Sequence, residues 1–103
     1  MSEKHVVYTK DAPEPIGPYS QAIRVGNLVF VSGQGSMDRA AGHMVRDSVE
    51  AETRQVLTNL KTILEAAGSS LDRVVKTTCF LGNMDDFPRF NAVYAEFFST
   101  NKP

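Results

Sequence analysis

IGPYSQAIRVGNLVFVSGQ, residues 16–34, sets a rigid turn, a hairpin and a glycine-ended strand in immediate succession. Proline holds its own φ near about −65° and pushes the preceding residue toward extended backbone, so Gly17-Pro18 aims Tyr19 through the main chain. The apolar runs 22–25 and 28–31 flank Gly26-Asn27, a pair suited to a primed hairpin turn. Ser32-Gly33-Gln34 ends the second strand, where a glycine leaves main-chain groups open to close approach by a ligand. Polar groups therefore collect at both ends of the hairpin, and a small binding site is expected there.

The remaining elements follow from periodicity. Residues 5–9 suit a first strand, and residues 35–46, with two glycines and several charges, read as a connecting loop. Asp47 and Glu50 form a D-x-x-E capping signature, after which Val56, Leu57, Leu60, Ile63, Leu64 and Ala67 make one helical stripe that Gly68 ends. Residues 72–81 read as a strand, with Val75, Thr77, Cys79 and Leu81 on one side. A second helix starts near Asn83, tolerates Pro88 in its first turn, and places Phe87, Phe90, Tyr94, Phe97 and Phe98 at helical spacing.

These elements predict an α+β sandwich with two helices on one face of a mixed sheet. Leu28, Val29, Phe30 and Val31 are apolar toward both faces, so the face without helices needs a further cover, most simply other copies of the chain.

Composition narrows the function. At 103 residues, 42% hydrophobic and 22% charged, the chain suits one globular domain. Its net charge of −1, from 11 basic and 12 acidic residues, provides no overall field for nucleic acid or a membrane surface. The single cysteine, Cys79, excludes an intrachain disulfide and suits a reducing compartment. The first ten residues have no apolar stretch of signal-peptide length, and the longest strongly apolar run is residues 28–31; a soluble, cytoplasmic protein is expected.

Four segments, I-G-P-Y-S-Q at 16–21, V-S-G-Q at 31–34, V-K-T-T at 75–78 and F-N-A-V-Y-A-E-F-F at 90–98, resemble the RidA, or YjgF-type, family of reactive intermediate deaminases. The resemblance extends from Thr9 to Pro103. It implies a chorismate-mutase-like fold assembled as a homotrimer, with sheets inward, helices outward and a small site at each subunit interface. It further implies hydrolysis of short-lived enamines and imines such as 2-aminoacrylate to a 2-keto acid and ammonia, with no cofactor. Tyr19, Ser32 and Asn91 carry the family's catalytic positions, and the main chain at Gly33 touches the substrate. Asn91 also lies four residues after Phe87 and three before Tyr94, on the apolar side of its helix, where a buried amide needs partners.

Other residues have plainer readings. Cys79 reads as a packed strand thiol, not a nucleophile. His5 and His43 stand apart without a neighbouring ligand cluster, so no metal site is expected. Asp85 and Asp86 complement a helix dipole more simply than they form a catalytic pair.

One departure from the family concerns the C-terminus. Relatives of this type continue past the position of Pro103 for about two more strands of roughly six residues each. That segment supplies an arginine that clamps the substrate carboxylate and a glutamate that orients water. No residue here matches either, and Arg89 points to another helical face. The sequence is therefore read as a single RidA-like domain over residues 1–103 lacking the family's C-terminal strands and expected to be an incomplete version of a longer chain; weak folding and little deaminase activity are expected only if it does end there. Two other functions compete: an endoribonuclease acting as a translation inhibitor, which lacks the basic, aromatic footprint of RNA binding, and a non-catalytic small-ligand-binding protein.

Overall fold

Gly26 turns the chain back on itself with φ of +56°, and β2 (Ala22–Val25) and β3 (Leu28–Val31) pair antiparallel across it. The structure, a computed structural model, describes residues 3–103. β1 (Lys4–Val7) pairs with the other edge of β2, giving an antiparallel sheet in the order β1-β2-β3. The first strand ends two residues sooner than its composition suggests. Thr9 gives its N–H to Gln21 Oε1 at 2.7 Å and its carbonyl takes Gln21 Nε2 at 3.0 Å, so a side chain replaces the ladder.

The stretch 35–46 is more ordered than a plain loop. β4 (Met37–Asp38) and β5 (His43–Met44) form a short hairpin, because Asp38 Oδ1 accepts the Ala41 N–H at 3.0 Å and Gly42 adopts φ of +79°.

Helix α1 (Val49–Ala66) is capped by Ser48, one residue later than the D-x-x-E signature indicates: Ser48 Oγ accepts the Ala51 N–H at 3.0 Å. Glu50 is thereby released from capping. Its far end closes as expected at Gly68, φ +82°, with the Gly68 N–H on the Glu65 carbonyl and the Ser69 N–H on the Leu64 carbonyl. Helix α2 (Phe87–Phe97) follows a tight 3-10 turn, Met84–Asp86, whose entry is fixed by Asn83 Oδ1 accepting the Asp85 N–H at 2.9 Å. Pro88 occupies the first turn, where its missing N–H costs nothing.

Strand alternation divides the sheet into two unlike faces. Val7, Ala22 and Val31, aligned in register, turn toward α1 and pack with Val29, Ala12 and Ile63 into the core. Val6, Ile23 and Phe30 form the corresponding row on the other face. That face is bare, as the sequence indicates: Val6 is 64% exposed, Leu28 57% and Phe30 60%. α2 packs chiefly on α1, and the contact is bracketed by ion pairs Arg89–Glu50 at 2.7 Å and Arg54–Glu96 at 3.1 Å.

The expected strand over 72–81 is not formed. Leu71–Arg73 is a 3-10 turn, closed by the Arg73 N–H on Ser70 and the Val74 N–H on Leu71, and residues 74–81 join neither sheet. Alternating composition can shape an extended segment, but a strand also needs a neighbour to receive its N–H and C=O groups. In consequence Val75 and Phe80 are 82% and 91% exposed, and Cys79, read from sequence as packed, is also exposed.

The interhelical ion pairs give the fold an acid sensitivity. Hydrogen bonds from Arg89 hold the Glu50 carboxyl below its ordinary range, and those from Arg54 do the same for Glu96. Acids depressed in the folded state stabilise it above their unfolded value of 4.5 and lose that contribution as pH falls through the folded values. Thermal melts are therefore expected to shift downward below about pH 4.5, and Arg54→Met to flatten that decline relative to the parent. Parallel curves for parent and variant would contradict it.

Candidate functional site

Gly17 accepts the Tyr19 N–H at 2.8 Å, so the Gly17-Pro18 corner sets the tyrosine as the sequence indicates. The Tyr19 hydroxyl in turn accepts the Ile16 N–H at 3.3 Å, leaving its own proton free to donate. Across from it, the end of β3 is tied down by the Ser32 N–H on the Gln21 carbonyl at 3.0 Å and by Ser32 Oγ donating to the Ser20 carbonyl at 2.5 Å. Between these segments lies a cleft of about 400 Å³ lined by Pro13, Glu14, Ile16, Tyr19, Gln21, Gly33, Gln34, Gly35, Met37, Arg39, Gly42 and Met44.

Two buried amides hold this cleft, and neither stands out in the sequence as a site residue. Gln21, 2% exposed, gives its Nε2 to the carbonyls of Thr9, Ala12 and Pro13. Asn59 of α1, 3% exposed, donates to the Gly35 and Met37 carbonyls at 3.2 and 2.8 Å while Gln55 satisfies its oxygen at 2.9 Å. One amide positions the Pro13 side and the other positions the Gly35–Met37 side. Among the described residues no buried side-chain polar atom lacks a partner, so the cleft is set by satisfied hydrogen bonds.

A Cβ at Gly33 would meet nothing within 4 Å. Glycine is thus not demanded by packing there, and its main chain lies open on the cleft lining. Gln34 Nε2 donates back to the Ser32 carbonyl at 3.1 Å, bracing the same turn.

Charge enters through a cluster at the cleft's edge. Glu14 accepts the Tyr8 hydroxyl and, at 3.1 Å, Arg39 Nη2. The Tyr8 bond first, and the Arg39 bond second, hold the Glu14 carboxyl below its ordinary value; Glu14 in turn raises both the Tyr8 phenol and the Arg39 guanidinium. All three stay in their neutral-pH forms, Tyr8 protonated and the other two charged.

The four residues indicated by sequence do not all converge. Tyr19 and Gly33 line one cleft, and Ser32 adjoins it with its hydroxyl directed to Ser20. Asn91 does not belong to the cleft lining and is exposed on α2. The expectation of a buried amide there is corrected: its side of α2 is not covered within the single chain. A larger groove of about 740 Å³, between the β2–β3 turn and the end of α1, includes His5, Arg24, Asn27, Ser69 and Arg73 but none of these four.

The family profile for Endoribonuclease L-PSP matches residues 9–103. A RutC family protein of Pyrococcus horikoshii is 52% identical over 100 residues, covering 97% of this chain and 79% of that protein. A Dermatophagoides farinae protein named 2-iminobutanoate/2-iminopropanoate deaminase is 45% identical, covering 100% of this chain and 80% of its own length. Among solved structures, E. coli TdcF with bound serine superposes with a TM-score of 0.88 at 38% identity, covering 92% of this chain and 74% of that one. The chain belongs to the RidA, or YjgF-type, family, and its mixed α+β architecture is that family's fold. Among the described residues, no helix is long and apolar enough to cross a membrane.

Proposed function

We propose that this chain hydrolyses small enamines and imines derived from amino acids, releasing a 2-keto acid and ammonia. The observation that carries the reading is the cleft itself. Its volume of about 400 Å³ has room for a three- or four-carbon acid together with water. The name of the deaminase relative from Dermatophagoides farinae and the serine bound to TdcF point to small molecules of the same scale.

The chemistry needs placement more than power. The enamine carbon gains a proton and the nitrogen loses one, giving the imine; water adds across C=N, its oxygen bonding to carbon and a proton passing to nitrogen; the carbinolamine hydroxyl then gives its proton to nitrogen as the C–N bond breaks, expelling ammonia and leaving C=O. Each step involves a proton and an oriented water, which fixed hydroxyls supply by position. Tyr19 donates from its free O–H, Ser32 offers its oxygen lone pairs, and the Gly33 main chain approaches the substrate directly.

The bare sheet face supports a homotrimer with the site at each subunit interface, where assembly would cover the open side of the cleft. No cofactor takes part. The decisive assay adds the protein to serine and a pyridoxal-phosphate-dependent dehydratase and follows pyruvate formation. Acceleration of several-fold is expected, reduced at least tenfold by Tyr19→Phe combined with Ser32→Ala. An unchanged rate with the unsubstituted chain would refute the reading.

A further inference from the structure

We propose that the Arg39–Glu14 ion pair is a latch across the mouth of the cleft, and that its release lets the tip of the β4–β5 hairpin lift to admit or free a small molecule. The identity of that molecule rests on the small-acid reading; the movement rests on the fold alone. The cleft has two walls of different origin. Pro13, Glu14 and Ile16 come from the proline-rich loop, and Met37, Arg39, Gly42 and Met44 come from the hairpin. Among the described residues, a single hydrogen bond joins that loop to the hairpin, from Arg39 Nη2 to Glu14 Oε1 at 3.1 Å.

The hairpin is fastened at its base. Val45 gives its N–H to the Ser36 carbonyl at 2.9 Å, Ser36 Oγ donates to the Val45 carbonyl at 2.8 Å, and Asn59 ties the Gly35 and Met37 carbonyls to α1. The bonds of the tip are internal, the Gly42 N–H on the Asp38 carbonyl at 2.8 Å and the Ala41 N–H on Asp38 Oδ1 at 3.0 Å. Each strand has only two residues, and a two-stranded hairpin is marginal by itself in water. Arg39 is therefore the hydrogen-bonded tie between the tip and the opposite wall.

That wall is the firmer side of the latch. Glu14 Oε1 also accepts the Tyr8 hydroxyl, and Gln21 Nε2 holds the adjacent Pro13 carbonyl at 3.0 Å. The ion pair itself is able to yield. Its side chains are 34% and 48% exposed, and an ion pair so open to water is weak and screened by salt. Such a bond opens and recloses readily, which suits a gate and serves poorly as a permanent brace. Arg39 makes one N–H contact here, so its charge and reach matter more than its planar fork.

Hydrogen exchange of the full chain, followed by NMR, reads the tip at the Gly42 amide and the base at the Val45 amide. Arg39→Met is expected to speed Gly42 exchange about two- to fivefold and leave Val45 unchanged, while Arg39→Lys stays near the parent. Sodium chloride at about 1 M is expected to speed Gly42 exchange in the parent and to have no such effect in Arg39→Met. Unchanged Gly42 exchange in Arg39→Met overturns the latch. Equal acceleration at Val45 does so too, because the pair would then support the whole hairpin. With 2-oxobutanoate as the probe, NMR line shapes are expected to show association and dissociation both faster in Arg39→Met by a similar factor, with Kd within about twofold of the parent. Faster dissociation alone would make Arg39 a ligand contact and overturn the gate. A parent chain that does not bind 2-oxobutanoate would end the small-acid reading, and the exchange at Gly42 and Val45 would still decide the latch.

Discussion

Replacing Gln21 by leucine is expected to lower the melting midpoint by roughly 15 °C, the largest effect of any single polar substitution in the fold. The side chain is almost the same size and the position is 2% exposed, so volume and solvent contact change little. What disappears is a set of bonds to Thr9, Ala12 and Pro13, leaving a buried N–H and several carbonyls without partners. Stranding such groups costs about 3 kcal/mol in total, and a domain of this size loses roughly 4–8 °C per kcal/mol. Activity is expected to fall further than stability explains, because the released loop leads into the Tyr19 corner of the cleft. Calorimetry decides it; a shift of only a degree or two would show that water satisfies the loop unaided.

Phe30→Asp tests the other large effect, on assembly. Phe30 lies in register with Ile23 and Val6 on the open sheet face, with Leu28 nearby, and is 60% exposed in the single chain. A contiguous apolar face of this kind is characteristic of a surface covered by a partner, and the proposed trimer covers it with other copies. A carboxylate there leaves the isolated fold almost untouched, since the side chain has few neighbours to lose. It prevents face-to-face burial, because a charge stripped of water without a partner is far costlier than the contact is favourable. Sedimentation is expected to change from trimer to monomer, with at least a tenfold loss of deaminase activity. A parent chain that is already monomeric, or a variant that remains trimeric, would remove the interface from the account.

The contrast between Asn59 and Asn91 shows what the sequence can reveal about this site. Both are amides on the apolar stripe of a helix, three residues after one apolar residue in the first case and three before one in the second. Asn59 is buried because the chain segment 35–37 crosses α1 and offers it carbonyls. Asn91 is exposed because its part of α2 is left open. Periodicity specifies which residues share a face, but only tertiary packing supplies the cover.

The same distinction explains the rest. The β2–β3 hairpin, the end of α1 at Gly68 and the tolerance of Pro88 are local matters of dihedral preference, and all are visible in short stretches of sequence. The Tyr19 corner is local in the same sense, set by Gly17-Pro18. The unpaired segment 74–81 was not legible, since alternation speaks to shape and is silent about a partner. Arg39 and Glu14, 25 positions apart, join only when the β4–β5 hairpin folds beside the proline-rich loop.

The central claim is that a small acid binds between Tyr19 and Gly33. Backbone NMR of the ¹⁵N-labelled chain titrated with 2-oxobutanoate tests it most directly. Saturable shifts are expected, concentrated at Tyr19, Ser32, Gly33 and Gln34. Shifts confined to the groove of His5, Arg24 and Arg73, or none at millimolar ligand, would contradict it.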